Sequence, residues 1–280
     1  MKYKIEKNTV QETLIIPLYA RKVCSELYPN LYRDETAVRL IDEIDYDFSE
    51  AEKNSRGLMQ RFGSLEVAMR QNDLAFEVRD YLKSHPNAAV VNLGCGLDST
   101  GRSCDNGSCK IYNLDFPDVI AVRNELLPAG EREKNLPCDL NDTAWFSQID
   151  ASGGAVFFAS GVFYYFLTEQ VKALVQQMAD AFPGSVLVFD AANRAAVKMI
   201  AKTWLKSAKI KDVGAYFAVS DAPQEISAWD SRLQVTSRGY MLGYTDLKDP
   251  SVSRFFRFLA KVGDGMMKMQ IVKIRFGGKQ

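Results

Sequence analysis

Chemistry in this 280-residue chain has to proceed almost without imidazole, because its only histidine is His85, next to Pro86. That excludes Ser-His-Asp catalysis, His-rich metal centres and a histidine general base. The five cysteines, Cys24, Cys95, Cys104, Cys109 and Cys138, are odd in number and contain no CxxC pair. Cys104 and Cys109 bracket a turn-forming Asp-Asn-Gly-Ser, so no zinc spacing is present and no metal is expected. Free thiols in a reducing cytoplasm are the simplest account. The sharpest feature left is Asn92-Leu93-Gly94-Cys95-Gly96-Leu97-Asp98-Ser99, where an apolar run opens directly into two glycines. Glycines there let the backbone bend tightly and let a ligand approach closer than a Cβ permits. Nineteen residues beyond Gly96, the next apolar run ends at Asp115, followed by Phe116 and Pro117. An acid at the tip of a second strand is placed to accept hydrogen bonds from both hydroxyls of a ribose. Alone, the glycines read as a tight turn and Asp115 as a surface acid. Together they describe an adenosine site.

The segment after the glycines decides which adenosine cofactor to expect. A nicotinamide site wants a third glycine where Ser99 stands, then a helix whose N-terminus holds pyrophosphate. Residues 98–109 are polar, contain Gly101 and Gly107, and support at most a short helix. S-adenosyl-L-methionine carries no phosphate, so it is the expected cofactor. Asp139-Leu140, after Pro137-Cys138, reads either as an adenine contact or as an Asx turn leading to Trp145. The stretch Ser160-Gly161-Val162-Phe163-Tyr164-Tyr165-Phe166 follows the fourth strand and would face the methionine end, although its aromatics read by default as core.

These residues need a parallel sheet to bring them together, and the chain supplies its pattern. Residues 1–85 read as helical, with apolar positions at helical spacing over Thr36–Ile44 and Leu65–Leu82, punctuated by Pro17, Pro29 and Gly63. Short apolar runs follow at 88–93, 110–114, 134–138, 155–159 and 185–189, each suited to a strand buried on both faces. Thr168–Phe182 reads as a helix capped by Thr168 and stopped by Pro183-Gly184. Residues 233–243 and 269–276 read as late strands around a helix at 253–262 and a Gly263-Asp264-Gly265 turn. The expectation is an α/β, Rossmann-like class I fold, its mostly parallel sheet ending in an antiparallel strand. It divides into a helical cap segment over 1–85 and a core over 86–280, with a cap insertion at about 191–231, helical over 194–207 and 222–229.

Taken together, the stretches TLIIPLYAR (13–21), IDYDFS (44–49), AMRQND (68–73), NLGCGLDS (92–99), YNLDFPDVI (112–120), CDLND with Trp145, ASGVFYYF (159–166) and FPGSVLVFDAAN (182–193) resemble the leucine carboxyl methyltransferase family. The likeness is to its bacterial branch of polyketide-type O-methyltransferases. The resemblance implies that Arg70 pairs with the methionine carboxylate, where a guanidinium fork fixes orientation as well as charge. Alone, Arg70 reads as a helix-surface arginine near Asp73. The resemblance also places Gly94, Cys95, Gly96 and Asp98 against the cofactor, Asp115 and Phe116 at the ribose, and Asp139-Leu140 at the adenine. Tyr19, Arg21 and Tyr164 would face the acceptor. Two positions depart from the family: Ser160 replaces its usual Glu, and Asp98-Ser99-Thr100-Gly101-Arg102 replaces its DTR stretch.

The expected activity is transfer of a methyl group to a carboxylate or hydroxyl of a small molecule of polyketide type. A carboxylate needs no general base, whereas a phenol needs partial deprotonation. A chain with one histidine therefore leans towards a carboxyl group or an acidic hydroxyl, and no catalytic residue is named. A nicotinamide-dependent reductase is the competing enzyme, and Ser160 admits a cofactor-binding protein without turnover. Lys plus Arg and Asp plus Glu are equal at 35 each, with no basic run, which argues against a nucleic-acid partner. No apolar run approaches a membrane span or a signal sequence, so a cytoplasmic protein is expected.

Overall fold

The computed structural model describes residues 2–5, 10–200 and 216–278. Helices α1 (Val10–Leu27), α2 (Glu35–Glu43), α3 (Ser49–Ser55) and α4 (Leu58–Ser84) come first, with a two-residue parallel bridge between β1 (Tyr3–Lys4) and β2 (Ile44–Asp45). Then follow β3 (Ala89–Leu93), α5 (Thr100–Ser103), β4 (Lys110–Asp115), α6 (Pro117–Leu126), β5 (Glu133–Pro137), β6 (Ala155–Ala159), α7 (Thr168–Ala181) and β7 (Val186–Ala191). The chain closes with α8 (Arg194–Ile200), α9 (Ala222–Ser227), β8 (Leu233–Gly239), α10 (Arg254–Gly265) and β9 (Gln270–Phe276). The part of the expected 194–207 helix beyond Ile200 lies outside the described residues.

Seven strands form one sheet in the order β5-β4-β3-β6-β7-β9-β8. The five strands from β5 to β7 are parallel, and β9 runs antiparallel to both of its neighbours, with Val186 opposite Arg275 and Leu233 opposite Phe276. Every residue of β3, β6 and β7 is buried, as continuous apolar runs require when helices cover both faces. Alternate side chains serve opposite layers. Val90, Ile111, Val156 and Val188 pack with Leu65, Met69 and Val78 of α4. Val91, Leu114, Phe157 and Phe189 pack with Leu174 and Met178 of α7. A third cluster joins Leu14 and Leu18 of α1 and Leu40 of α2 to Val119 and Val122 of α6. The chain goes from β3 outward to β4 and β5, then returns to β6 on the other side of β3. The strand order therefore reverses at β3, and the crevice above that reversal is where an open α/β sheet binds ligands.

Three local expectations differ from the structure. Pro17 lies inside α1 and Gly63 inside α4, where both were expected to end helices. Proline removes one helical donor and glycine costs about 1 kcal/mol, but the burial of two long helix faces outweighs both. Helix α7 starts one residue early: Leu167 is its cap, and its N–H donates to Gln170 Oε1 at 2.8 Å. Gly263-Asp264-Gly265 remains helical because Asp264 accepts from Met241 N and Leu242 N, fixing the end of α10 against the loop after β8.

Asp73, on α4, is 3% exposed and its Oδ2 makes no hydrogen bond among the described residues. Burial, followed by the charges of Asp264 and Glu77, pushes its carboxyl up to about 9. Because the folded value lies above the unfolded one, the fold holds this proton more tightly than the unfolded chain does. Stability is then lost as pH rises from about 4 towards about 9. Asp73→Asn should remove that dependence. Thermal melts across the interval should show the variant gaining on the parent steadily, and a parent that gains instead would contradict the assignment.

Candidate active site

The turn after β3 is built by its glycines and by the acid on the next strand. Gly94 and Gly96 have φ of 66° and 45°, in the left-handed region that favours glycine. A Cβ on Gly94 would lie 2.6 Å from Val162 Cγ2, so the strand tips of β3 and β6 close on each other only across a glycine. Cys95 N donates to Leu114 O at 2.9 Å. Gly96 N donates to Asp115 Oδ2 at 2.8 Å, and Phe116 N donates to Oδ1 at the same distance. Burial raises the Asp115 carboxyl, and these two amides and the Arg123 guanidinium oppose the rise. Arg123, 1% exposed on α6, donates to Gly96 O at 2.9 Å and Asp98 O at 2.7 Å, which pins the turn from below. Sequence reasoning passed over Arg123. Its signal was a guanidinium in line with the apolar residues of VIAVR.

The tip of β6 meets α4 and β7. Arg70 Nη1 donates to Asp190 Oδ2 at 3.1 Å, and Asp190 Oδ1 accepts from Gly161 N at 2.6 Å. A Cβ on Gly161 would sit 3.1 Å from both terminal nitrogens of Arg70, so glycine is what lets the guanidinium reach the strand tip. Arg70 Nε is buried without a partner among the described residues. Asp190, whose side chain is 1% exposed, also bonds the Tyr164 hydroxyl, whose proton is held well above the usual range, chiefly by burial. Asp190 is a second site residue that the sequence reading did not single out, although it lies within the FPGSVLVFDAAN stretch. A polar relay runs alongside: Ser160 Oγ donates to Gln71 Oε1 at 3.0 Å, Gln71 Nε2 donates to Thr100 Oγ1, and Thr100 Oγ1 donates to Asp98 Oδ1 at 2.8 Å.

The glycine turn, Asp115, Arg70, Ser160 and Gly161 line one largely apolar cavity of about 440 Å³, a size suited to a small-molecule ligand. Gly63, Glu66, Val67, Arg70 and Gln71 line it from one face of α4, at helical spacing. Of the sequence-predicted residues, Gly94, Cys95, Gly96, Asp98, Asp115, Phe116, Leu140 and Ser160 line it. So do Arg70, Arg21 and Tyr164.

Tyr19 and Asp139 do not. Tyr19 turns away and stacks on Phe48 with centroids 5.5 Å apart. Residues two apart on a helix point about 200° apart, so Tyr19 and Arg21 cannot face one cleft together. Arg21 itself is committed, with Nε on Asp34 Oδ2 at 2.9 Å and Nη2 on Leu97 O at 3.0 Å. Asp139 is exposed and forms an Asx turn, its Oδ1 accepting from Asn141 N at 2.9 Å. Its neighbours Cys138 and Leu140 point inward instead.

The donor set fits a phosphate-free adenosine ligand with an amino-acid end. It pairs a glycine cradle with a carboxylate that keeps free lone pairs, and it adds a guanidinium with an unpaired N–H. Helix α5 spans only four residues and offers no anion site for pyrophosphate. A family model described as leucine carboxyl methyltransferase matches residues 18–179, more than half of the chain. The chain belongs to the leucine carboxyl methyltransferase family. It is an S-adenosylmethionine-dependent methyltransferase. It is 27% identical over 183 residues to the tetracenomycin polyketide synthesis O-methyltransferase TcmP of Streptomyces glaucescens, covering 65% of this chain and 66% of that protein. It is 26% identical over 258 residues to the S-adenosyl-L-methionine-dependent methyltransferase dpfgK of Gibberella zeae, covering 86% and 85% of the two chains. The plantazolicin methyltransferase BpumL, solved in complex with SAH, shares the fold at a TM-score of 0.51 and 13% identity, covering 96% of this chain and 99% of its own.

Gly94→Ala should cost about 1–3 kcal/mol through its backbone strain, with a further steric cost against Val162. Adding Val162→Ala should recover the steric part only, as read from denaturant melts of the two variants. Full recovery in the double variant would show that φ at Gly94 carries no strain.

Proposed function

We propose that this methyltransferase acts on an oxygen of a small molecule of polyketide type. The observation that carries the reading is that the Gly94–Gly96 turn, Asp115 and Arg70 line one cavity at the strand reversal. Asp115 uses one lone pair on each oxygen for backbone amides and keeps the others for the two ribose hydroxyls. Leu140 and Phe116 supply apolar surface for the adenine, a role that the geometry of Asp139 does not share. Arg70, steadied by Asp190, holds the amino-acid carboxylate, and Ser160 with Gln71 lies at the amine. The bound sulfonium supplies an activated methyl group. The protein's part is alignment of the acceptor oxygen and exclusion of water. Helices α1 and α4 serve that exclusion as the lid of the cavity, and we read residues 1–85 as the cap over the core for this reason. The O-methyl reading and the polyketide type rest on the likeness to TcmP.

The test is calorimetry followed by transfer. S-adenosylmethionine should bind and NADH should not, and labelled methyl should pass to members of a panel of small aromatic acids and phenols. Asp115→Ala should weaken S-adenosylmethionine binding by roughly 1–3 kcal/mol through loss of charge-assisted hydrogen bonds. Unchanged affinity in a folded variant would refute the ribose role. Binding without transfer to any acceptor would favour a protein that holds the cofactor without turnover.

A further inference from the structure

A second cavity, of about 590 Å³, lies on the far side of α1, between that helix, α3 and the start of α4. Helix α1 is the wall between the two cavities. Leu14, Pro17 and Arg21 line the first, whereas Tyr19, Val23 and Glu26 line the second. Each set is spaced by three or four residues, so each forms one stripe along the helix. Tyr19 and Arg21, two residues apart, fall on opposite stripes.

The second cavity combines an apolar wall with one unanswered cation. The rings of Tyr19 and Phe48 stack with centroids 5.5 Å apart, and Val23, Leu27 and Ile41 extend the wall. The charged side chains lining it are Lys22, Arg56 and Arg61 and the carboxylates Glu26 and Glu52. Lys22 Nζ meets Glu26 Oε2 at 2.9 Å, and Arg56 Nη2 meets Glu52 Oε1 at 3.8 Å, each pair one helical turn apart. Arg61 forms no ion pair among the described residues, and its Nε is buried without a hydrogen-bond acceptor. The neighbouring Tyr28 does not neutralise it, because burial raises that phenol and it keeps its proton. A buried guanidinium N–H without an acceptor is costly, and an anion relieves the cost.

We propose that this cavity is a second small-molecule site, for an apolar ligand that carries a single carboxylate. Arg61 receives the carboxylate, since a guanidinium edge matches its two oxygens. The Tyr19–Phe48 pair and Val23 receive the apolar body. A neutral ligand leaves Arg61 unanswered, and a second negative charge meets Glu26 and Glu52 with Lys22 and Arg56 already engaged. Because the two cavities lie on opposite stripes of α1, this ligand and the cofactor occupy the protein together.

The experiment compares 2-naphthoate with the neutral 2-naphthalenemethanol, by calorimetry and by nuclear Overhauser contacts, with and without S-adenosylhomocysteine. Naphthoate should bind about tenfold more tightly than the alcohol, as expected for a charge-assisted hydrogen bond. Its protons should contact the rings of Tyr19 and Phe48, and its affinity should be unchanged by S-adenosylhomocysteine. Arg61→Gln should abolish the preference for naphthoate, Arg61→Lys should keep most of it, and neither should alter the affinity for S-adenosylhomocysteine. Ser55→Trp, which fills the cavity from α3, should weaken both probes. Any of four results would overturn the proposal: no naphthoate binding, a preference for naphthoate that survives in Arg61→Gln, binding undiminished in Ser55→Trp, or displacement of naphthoate by S-adenosylhomocysteine.

Discussion

One hydrogen bond, from Gly96 N to Asp115 Oδ2, sets the geometry on which the rest depends. It ties the turn after β3 to the tip of β4, and it does so with a carboxyl group that also lines the cavity. A carboxylate can serve both ends because each oxygen has two acceptor positions. The backbone amides preorganise it, so little side-chain freedom is left to lose on binding. Arg123 completes the arrangement from the other side by taking the carbonyls of Gly96 and Asp98, which the tight turn leaves without helical or strand partners.

Asp190 does the corresponding work for the second half of the site. It is buried at the end of β7 and receives Gly161 N, an Arg70 nitrogen and the Tyr164 hydroxyl. It therefore links the tip of β6 to α4, the helix that crosses the sheet and bears Glu66, Arg70 and Gln71. A lone buried carboxylate would be costly, and so would a lone buried guanidinium; as a pair each neutralises the other. Two further residues on the cavity wall, Pro17 and Gly63, break the helix rule within α1 and α4. With no Cβ at Gly63, the α4 backbone itself forms that part of the cavity wall.

The sheet was legible because strands buried on both faces must be continuously apolar, and AVFFA and AAVVNL allow few other readings. The glycine turn and Asp115 were legible for a similar reason, since each requires a particular residue type at a strand end. What escaped were the partners. Arg123 and Asp190 act through carbonyls and amides far away in sequence, at separations that no local pattern encodes. Asp139 carried two readings of equal standing, and only the backbone could show that its carboxylate turns back onto Asn141. Tyr19 was assigned by resemblance, whereas the helix repeat already placed it opposite Arg21. The short α5 matched expectation because glycines and polar residues offer a helix little to bury.

Electrostatics explains why one set of side chains can select a sulfonium over a dinucleotide. In and around the cavity, the guanidinium groups of Arg21, Arg70 and Arg123 stand against the carboxylates of Asp34, Asp190, Asp98 and Asp115. Each of the first two arginines already answers one carboxylate, so the residual field among the described residues is negative. A pyrophosphate would enter against that field with no helix N-terminus to receive it. A ligand with a cationic sulfur meets the opposite situation, and the low-dielectric walls strengthen the attraction. The discrimination that the sequence suggested from a missing glycine at Ser99 thus has a second, independent source in the charge of the folded site.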